Sequence, residues 1–335
     1  MADTPLIDAG LLDLLLHARE PMSVESLALA GGISRADVLA RVARLREAGC
    51  RFDEHPQQGL RLIEAGLGTW ADYLHFHRRR ESRIEIYRES ASTQDLARRL
   101  VTACGRASDG AIVVAARQTA GRGRLGRTWH APPGSAITFS RVAMLAPAQR
   151  GGAVDRLSLA AAVAVAEAAE HLLPAGADVR IKWPNDVVIG GRKLAGVLVE
   201  TSPAAEGLAA IVGVGLNVHL RPGDLPADDP ALRGRVTSLA MAGAAVDRLE
   251  ALAEVASRLD EAIERMSAEE VHARWRQRSL LLYRQVSFQS GGRPVEGEVI
   301  DADPEAGLIV RTASGQIVHL PAAGTTVLGG GGGRS

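Results

Sequence analysis

Between residues 179 and 219 four candidate strands (179–183, 186–189, 194–201 and 208–219) follow one another with only short turns between them, Gly190-Gly191 being one. Strands joined by turns this short pair antiparallel, because a parallel pair needs a crossover of a dozen residues or more. That constraint removes the doubly wound parallel sheet and leaves an α+β fold. Further strand candidates at 84–88, 111–117 and 136–143, with helix candidates at 93–104, 156–173, 247–266 and 268–280, complete a central region over 84–282.

The flanking patterns differ. Leu6, Leu11, Leu12, Leu14 and Leu15 mark a short apolar helix, and a second over 24–30 ends at Gly31-Gly32. A third, over 34–48, carries Val38, Leu39, Val42 and Leu45 on one face, with Ser34 and Asp37 at capping-box spacing. A turn at His55-Pro56-Gln57-Gln58-Gly59 then joins two short extended stretches. This order predicts a winged helix-turn-helix over 1–65, its third helix suited to a major groove. Residues 66–83 read as a linker, and His77-Arg78-Arg79-Arg80 as a solvated basic stretch. From 283 to 328 short β runs alternate with turns such as Gly291-Gly292, Asp303-Pro304 and Ser314-Gly315, which predicts a small β-barrel. The glycine run that follows makes 329–335 a disordered tail. Two or three domains suit 335 residues.

Composition excludes several classes. Formal net charge is zero, so no global field draws the chain to nucleic acid or anionic membrane. Cys50 and Cys104 are isolated, which argues against structural zinc or a disulfide framework. With no secretory signal pattern and no apolar run of membrane-spanning length, the cytoplasm is the expected compartment. Aromatic residues make up 3% of the chain, so Ala, Val and Leu must fill the core.

Two lysines stand among thirty-nine basic residues, and both fall in unusual motifs. Lys182-Trp183-Pro184-Asn185-Asp186 ends one strand and begins the next; Gly191-Arg192-Lys193-Leu194-Ala195-Gly196 turns the following corner. A hairpin brings the two ammonium groups together, where they tolerate each other best beside phosphates. Gly121-Arg122-Gly123-Arg124-Leu125-Gly126 matches a dinucleotide-binding pattern, but the Pro132-Pro133-Gly134 that follows cannot open the required helix. What remains is a glycine loop bearing Arg122, Arg124 and Arg127, suited to phosphate or carboxylate. Gly213 and Gly215 inside a buried strand suggest close approach of a ring or backbone. Ser92 and Asp95 have capping-box spacing, while Ser92-Thr93-Gln94 and Gln118 offer hydroxyl and amide groups to a neutral polar ligand.

Together, Ser92-Thr93-Gln94, Gln118, GRGRLGRTW at 121–129, KWPND at 182–186, GRKLAGVLVE at 191–200 and GVGLN at 213–217 closely resemble the biotin–protein ligase family. The flanking regions resemble its bifunctional members, which also repress the biotin operon. The resemblance implies a class II synthetase-like central α+β domain with a mixed sheet and an SH3-like C-terminal barrel. It implies biotin and MgATP as reactants, biotinyl-5′-AMP as intermediate, and transfer to a lysine of the biotin carboxyl carrier protein of acetyl-CoA carboxylase. By resemblance Ser92, Thr93, Gln94, Gln118, Arg122, Gly123, Arg124 and Lys193 meet biotin. Arg127, Trp129, Lys182, Asn185, Asp186 and Asn217 meet ATP or the adenylate, and Lys193, Arg124, Lys182 and Asp186 carry the chemistry. Mg²⁺ comes with ATP, with no dedicated metal site on the protein.

Across residues 22–65 six arginines balance six acids, so an operator-binding module must rely on placement rather than net charge. Ser34, Arg35 and Arg41 are the candidate DNA contacts, and the resemblance implies a homodimer on a palindromic site. Two alternatives stay open: a transcription factor whose central region only senses ligand, and a lipoate-type ligase.

Overall fold

A computed structural model describes residues 8–55, 57–78, 80–225, 230–303 and 306–330. Leu6, Pro56, Arg79, Pro304 and the glycines at 331–333 lie outside the described residues. The chain opens with α1 (Ala9–His17), α2 (Val24–Gly31), α3 (Arg35–Glu47) and a hairpin of β1 (Arg51–His55) and β2 (Gly59–Glu64). Leu11, Leu12, Leu15, Leu27, Val38, Val42 and Leu45 bury one face of each helix. Leu39 does not join them; it is 56% exposed, one residue off the 38/42/45 stripe. Ser34 and Asp37 form the expected reciprocal cap at the start of α3.

The expected linker is instead structured. Residues Trp70–His77 form α4, with Trp70, Tyr73 and Leu74 buried. The Arg248 guanidinium sits 5.3 Å from the Trp70 ring centre, and Tyr73 donates to Asp13 at 2.8 Å. Nor are Arg78 and Arg80 of the basic stretch after it left to solvent. Arg78 is 4% exposed and donates to Asp260 at 2.7 and 3.1 Å, while Arg80 pairs with Asp109 at 2.8 Å. A carboxylate removed from water demands such partners, and a one-dimensional charge run gives no hint of them.

The central region comprises β3 (Ile84–Tyr87), α5 (Thr93–Cys104), β4 (Ile112–Ala115), β5 (Ala136–Leu145), α6 (Ala153–Leu172), β6 (Val179–Lys182), β7 (Asp186–Ile189), β8 (Arg192–Ala204) and β9 (Gly207–Asn217). After these come α7 (Pro230–Arg235), α8 (Arg248–Glu264) and α9 (Ala268–Arg278). Seven strands make one sheet in the order β3-β4-β5-β9-β8-β7-β6. Only β3 and β4 pair parallel, because α5 supplies their crossover; every other pair is antiparallel. The fold is therefore α+β with a mixed sheet. Helix α6 is buried along most of its length by alanines that let it lie close to the sheet and to α8. Small side chains thus do the packing that the scarce aromatics cannot.

A second sheet of five strands, β13-β12-β11-β10-β14, uses β10 (Gln285–Ser290), β11 (Arg293–Asp303), β12 (Gly307–Thr312), β13 (Ile317–Leu320) and β14 (Thr325–Gly330). Gly329 and Gly330 pair with Ser287 and Val286, so the strand runs two residues past the expected start of the tail. Glycine weakens a strand but leaves its backbone able to pair. Among the described residues no helix is long and apolar enough to cross a membrane.

Candidate active site

One cavity opens over the β5-β9-β8-β7-β6 half of the central sheet. It gathers Ser92, Thr93 and Gln94 from the start of α5, Gln118, the arginine loop, Trp129, the β6–β7 corner, and Lys193 from β8. Each arrives by a local rule. Successive antiparallel strands return Lys182 opposite Asp186, and place Lys193 opposite Val188 one strand further on. Both lysines therefore face one space, as the hairpin reading requires.

The deep end is neutral and polar. Ser92, Thr93 and Gln94 are each at most 3% exposed. Gln118 Oε1 accepts from the Thr93 backbone N–H at 2.7 Å and from Thr93 Oγ1 at 3.3 Å. Ser140 Oγ reaches Thr93 Oγ1 at 2.8 Å, and Gln94 Nε2 donates to the Leu198 carbonyl at 3.1 Å. These bonds fix the Gln118 amide so that its N–H₂ stays available to an incoming acceptor. Ser92 departs from its expected role: its side chain makes no cap, and Asp95 turns to arginines instead.

The floor explains the strand glycines. A Cβ on Gly215 would lie 2.5 Å from the Trp129 ring, and one on Gly213 would lie 3.2 Å from the Gln94 side chain. The ring that approaches the strand is thus the protein's own. Lys193 Nζ stands 5.5 Å from the Trp129 ring centre and 2.6 Å from an Asp186 carboxylate oxygen.

The three loop arginines part company. Arg122 pairs with Asp95 at 2.8 Å and Glu200 at 3.0 Å, so its charge is already answered. Arg124 spans the cavity, donating to Asn185 Oδ1 at 3.2 Å, to the Thr325 carbonyl at 3.1 Å and to the Ala322 carbonyl. Burial pulls its guanidinium below the usual value, with neighbouring Asp186 opposing and Arg127 adding to the shift. Arg127 and Lys182 have no ion-pair partner among the described residues. Protein groups thus partner two of the three arginines, Arg122 with acids and Arg124 with neutral oxygens.

Asn217 is the one proposed cavity residue that does not line it. Its amide donates to the Thr237 carbonyl at 2.9 Å and braces the end of β9. Conversely, Thr325, Thr326 and Val327 line the cavity from the second sheet, more than a hundred residues from any motif. No local signal marks them. Among the described residues, no cluster of three or more His, Cys, Asp or Glu side chains could hold a metal.

The candidate DNA contacts are engaged within the N-terminal segment. Ser34 caps α3, Arg35 pairs with Glu25 at 2.8 Å, and Arg41 pairs with Asp8.

Residues 92–217 match the model of the biotin/lipoate A/B protein ligase family. The bifunctional ligase/repressor BirA of Bacillus subtilis is 34% identical over 244 residues, covering 71% of this chain and 72% of its own. This chain belongs to that family. The biotin–[acetyl-CoA-carboxylase] ligase of Mycobacterium tuberculosis is also 34% identical, over 71% of this chain and 89% of its own. A biotin protein ligase from Aquifex aeolicus, solved with biotin and ATP, superposes with a TM-score of 0.61 at 29% identity, covering 74% of this chain and 99% of that one.

Proposed function

We propose that the chain is an ATP-dependent biotin–protein ligase that also acts as a biotin-responsive repressor. The observation that carries the ligase half is the division of one cavity into a neutral polar end and a cationic end. Buried hydroxyls and a fixed amide suit an uncharged ring with carbonyl and N–H groups. Lys182, Arg127 and Lys193 suit a carboxylate and phosphates.

The biotin carboxylate attacks the α-phosphate of ATP, a new P–O bond forms, and pyrophosphate leaves. Two anions must meet, so fixed positive charge is the main requirement. Lys193 supplies it at the junction of carboxylate and α-phosphate, while Lys182 and Arg127 hold the departing phosphates. The neutral amine of the acceptor lysine then attacks the acyl carbon and AMP leaves with the bonding pair. The arginine loop excludes water from the mixed anhydride meanwhile. Asp186 has the donor chemistry to contact a Mg²⁺ that arrives on ATP, since that ion needs only one or two carboxylates beside phosphate oxygens. Such an ion would offset charge on those oxygens.

The acceptor is the biotin carboxyl carrier protein of acetyl-CoA carboxylase. Helices α1–α3 with the β1–β2 hairpin form a winged helix-turn-helix for operator DNA, the central unit is class II synthetase-like, and the five-stranded sheet is an SH3-like barrel. A homodimer on a palindromic operator follows from the same reading. Pyrophosphate release with ATP and either biotin or lipoate tests it. Release with biotin, followed by label on the carrier lysine, is the expected result. Release with lipoate alone would reassign the substrate, and release with neither would leave a ligand-sensing regulator.

A further inference from the structure

We propose that Asp95 and Glu200 are positioning residues that keep the arginine loop shut over the acyl-adenylate, an inference that rests on the ligase reading above. The neck of the loop is closed by two backbone bonds, Trp129 N–H to Gly121 O at 2.9 Å and Gly123 N–H to Arg127 O at 2.6 Å. Between them Arg122, itself part of the cavity lining, reaches two acids on different elements. Its Nη1 meets Asp95 of α5 at 2.8 Å and its Nη2 meets Glu200 of β8 at 3.0 Å. One guanidinium therefore ties the loop to both walls of the site, and its planar fork suits two carboxylates at once.

Neither acid lines the cavity, so neither touches substrate; each acts through Arg122. A second arginine competes for the same atoms. Arg98 Nη1 lies 3.2 Å from Asp95 Oδ1, and its Nη2 lies 3.2 Å from Glu200 Oε2, the two oxygens that Arg122 uses. The four side chains are all about a third exposed, so each ion pair is weak and reversible. A latch of this strength holds a loop for the lifetime of an intermediate while still letting it open for the acceptor protein.

This arrangement makes opposite demands of the two flanking charges. Removing the acids frees the loop; removing Arg98 leaves the acids to Arg122 alone and tightens it. The test uses the full chain, loaded with biotin and ATP. Asp95→Asn with Glu200→Gln should keep the first burst of pyrophosphate within about twofold and release biotinyl-5′-AMP about fivefold faster. The escaped adenylate should then label lysines of serum albumin, a bystander protein. Arg98→Met should slow release about twofold, a direction that general loosening of the fold does not produce. Unchanged release in the double variant, or faster or unchanged release in Arg98→Met, overturns the proposal. If the double variant does not fold, the Arg98→Met measurement decides alone. A wild-type chain without any pyrophosphate burst would instead remove the ligase reading, and so separates the two failures.

Discussion

In the N-terminal segment Arg35 faces Glu25 at 2.8 Å, Arg51 faces Glu64 at 2.7 Å, Arg61 faces Asp53 at 3.1 Å, and Arg41 and Arg46 meet Asp8 and Glu54. Around the central cavity, Lys182 and Arg127 make no ion pair among the described residues, and Arg124 rests on neutral carbonyl and amide oxygens. Both regions are rich in cations, yet the first answers its charge internally, while the second pairs Arg122 and Lys193 with acids and leaves Lys182 and Arg127 without an ion pair among the described residues. Unanswered positive charge gathered in one cavity is costly, and a bound anion relieves it. The contrast supports the anion recognition proposed for the cavity, and under the proposed operator role the N-terminal arginines must exchange internal partners for phosphates.

The harshest challenge to this contrast is Lys193→Ala. It removes the charge proposed to sit at the reacting junction and should lower adenylate formation by about 10²–10³-fold, read as biotin-dependent pyrophosphate release. Full activity would show that the Lys193 charge, held beside Asp186, does not serve catalysis. Gly215→Ala comes next. The added methyl drives Trp129 off the strand, and the KM for biotin should rise about tenfold with kcat less affected. An unmoved KM would mean that the ring does not shape the ligand's floor.

A smaller change should follow in the other region. Asp8→Asn keeps the cap on α1 but frees Arg41, and Glu25→Gln frees Arg35. Affinity for duplex DNA should increase several-fold and its fall with added salt should steepen. Identical salt slopes before and after would show that these arginines do not meet phosphate.

The mildest effect concerns the seam between the regions. Burial raises the carboxyl of Asp247, only partly offset by the Leu249 and Ala65 N–H groups; burial likewise raises Glu250, with His17 opposing. A raised folded-state value means that the native form binds more protons than the unfolded chain. Stability contributed there is fully present below the ordinary carboxyl range and falls as pH climbs through the raised values. Urea midpoints at mildly acidic and neutral pH should therefore draw closer in Asp247→Asn. A wider gap would reverse the sign of this account.

Much of the architecture could be read in one dimension, for identifiable reasons. Short turns dictate antiparallel pairing, so the β6–β9 series and the meeting of Lys182 with Lys193 followed from local spacing. Ser34 and Asp37 cap within four residues. Three of the failures share a different property: they depend on partners distant in the chain. Arg78 reads as surface until Asp260 arrives beneath it, Trp70 reads as linker until Arg248 covers it, and Asn217 reads as ligand-facing until Thr237 claims its amide. Leu39 missed its stripe by one position, a small angular error that a buried face does not forgive. Ser92 and Asp95 had the spacing of a cap, but Asp95 pairs with two arginines instead.

The wall formed by Thr325, Thr326 and Val327 has a consequence for how the enzyme comes into being. The strand that carries them is the last of the described strands to leave the ribosome, long after both lysines and the arginine loop. A nascent chain halted before Thr325 has its reactive groups but an open flank, so it should make adenylate and lose it to water. Stalled chains of graded length, assayed for retained label, would reveal whether trapping begins only when that final ribbon has docked.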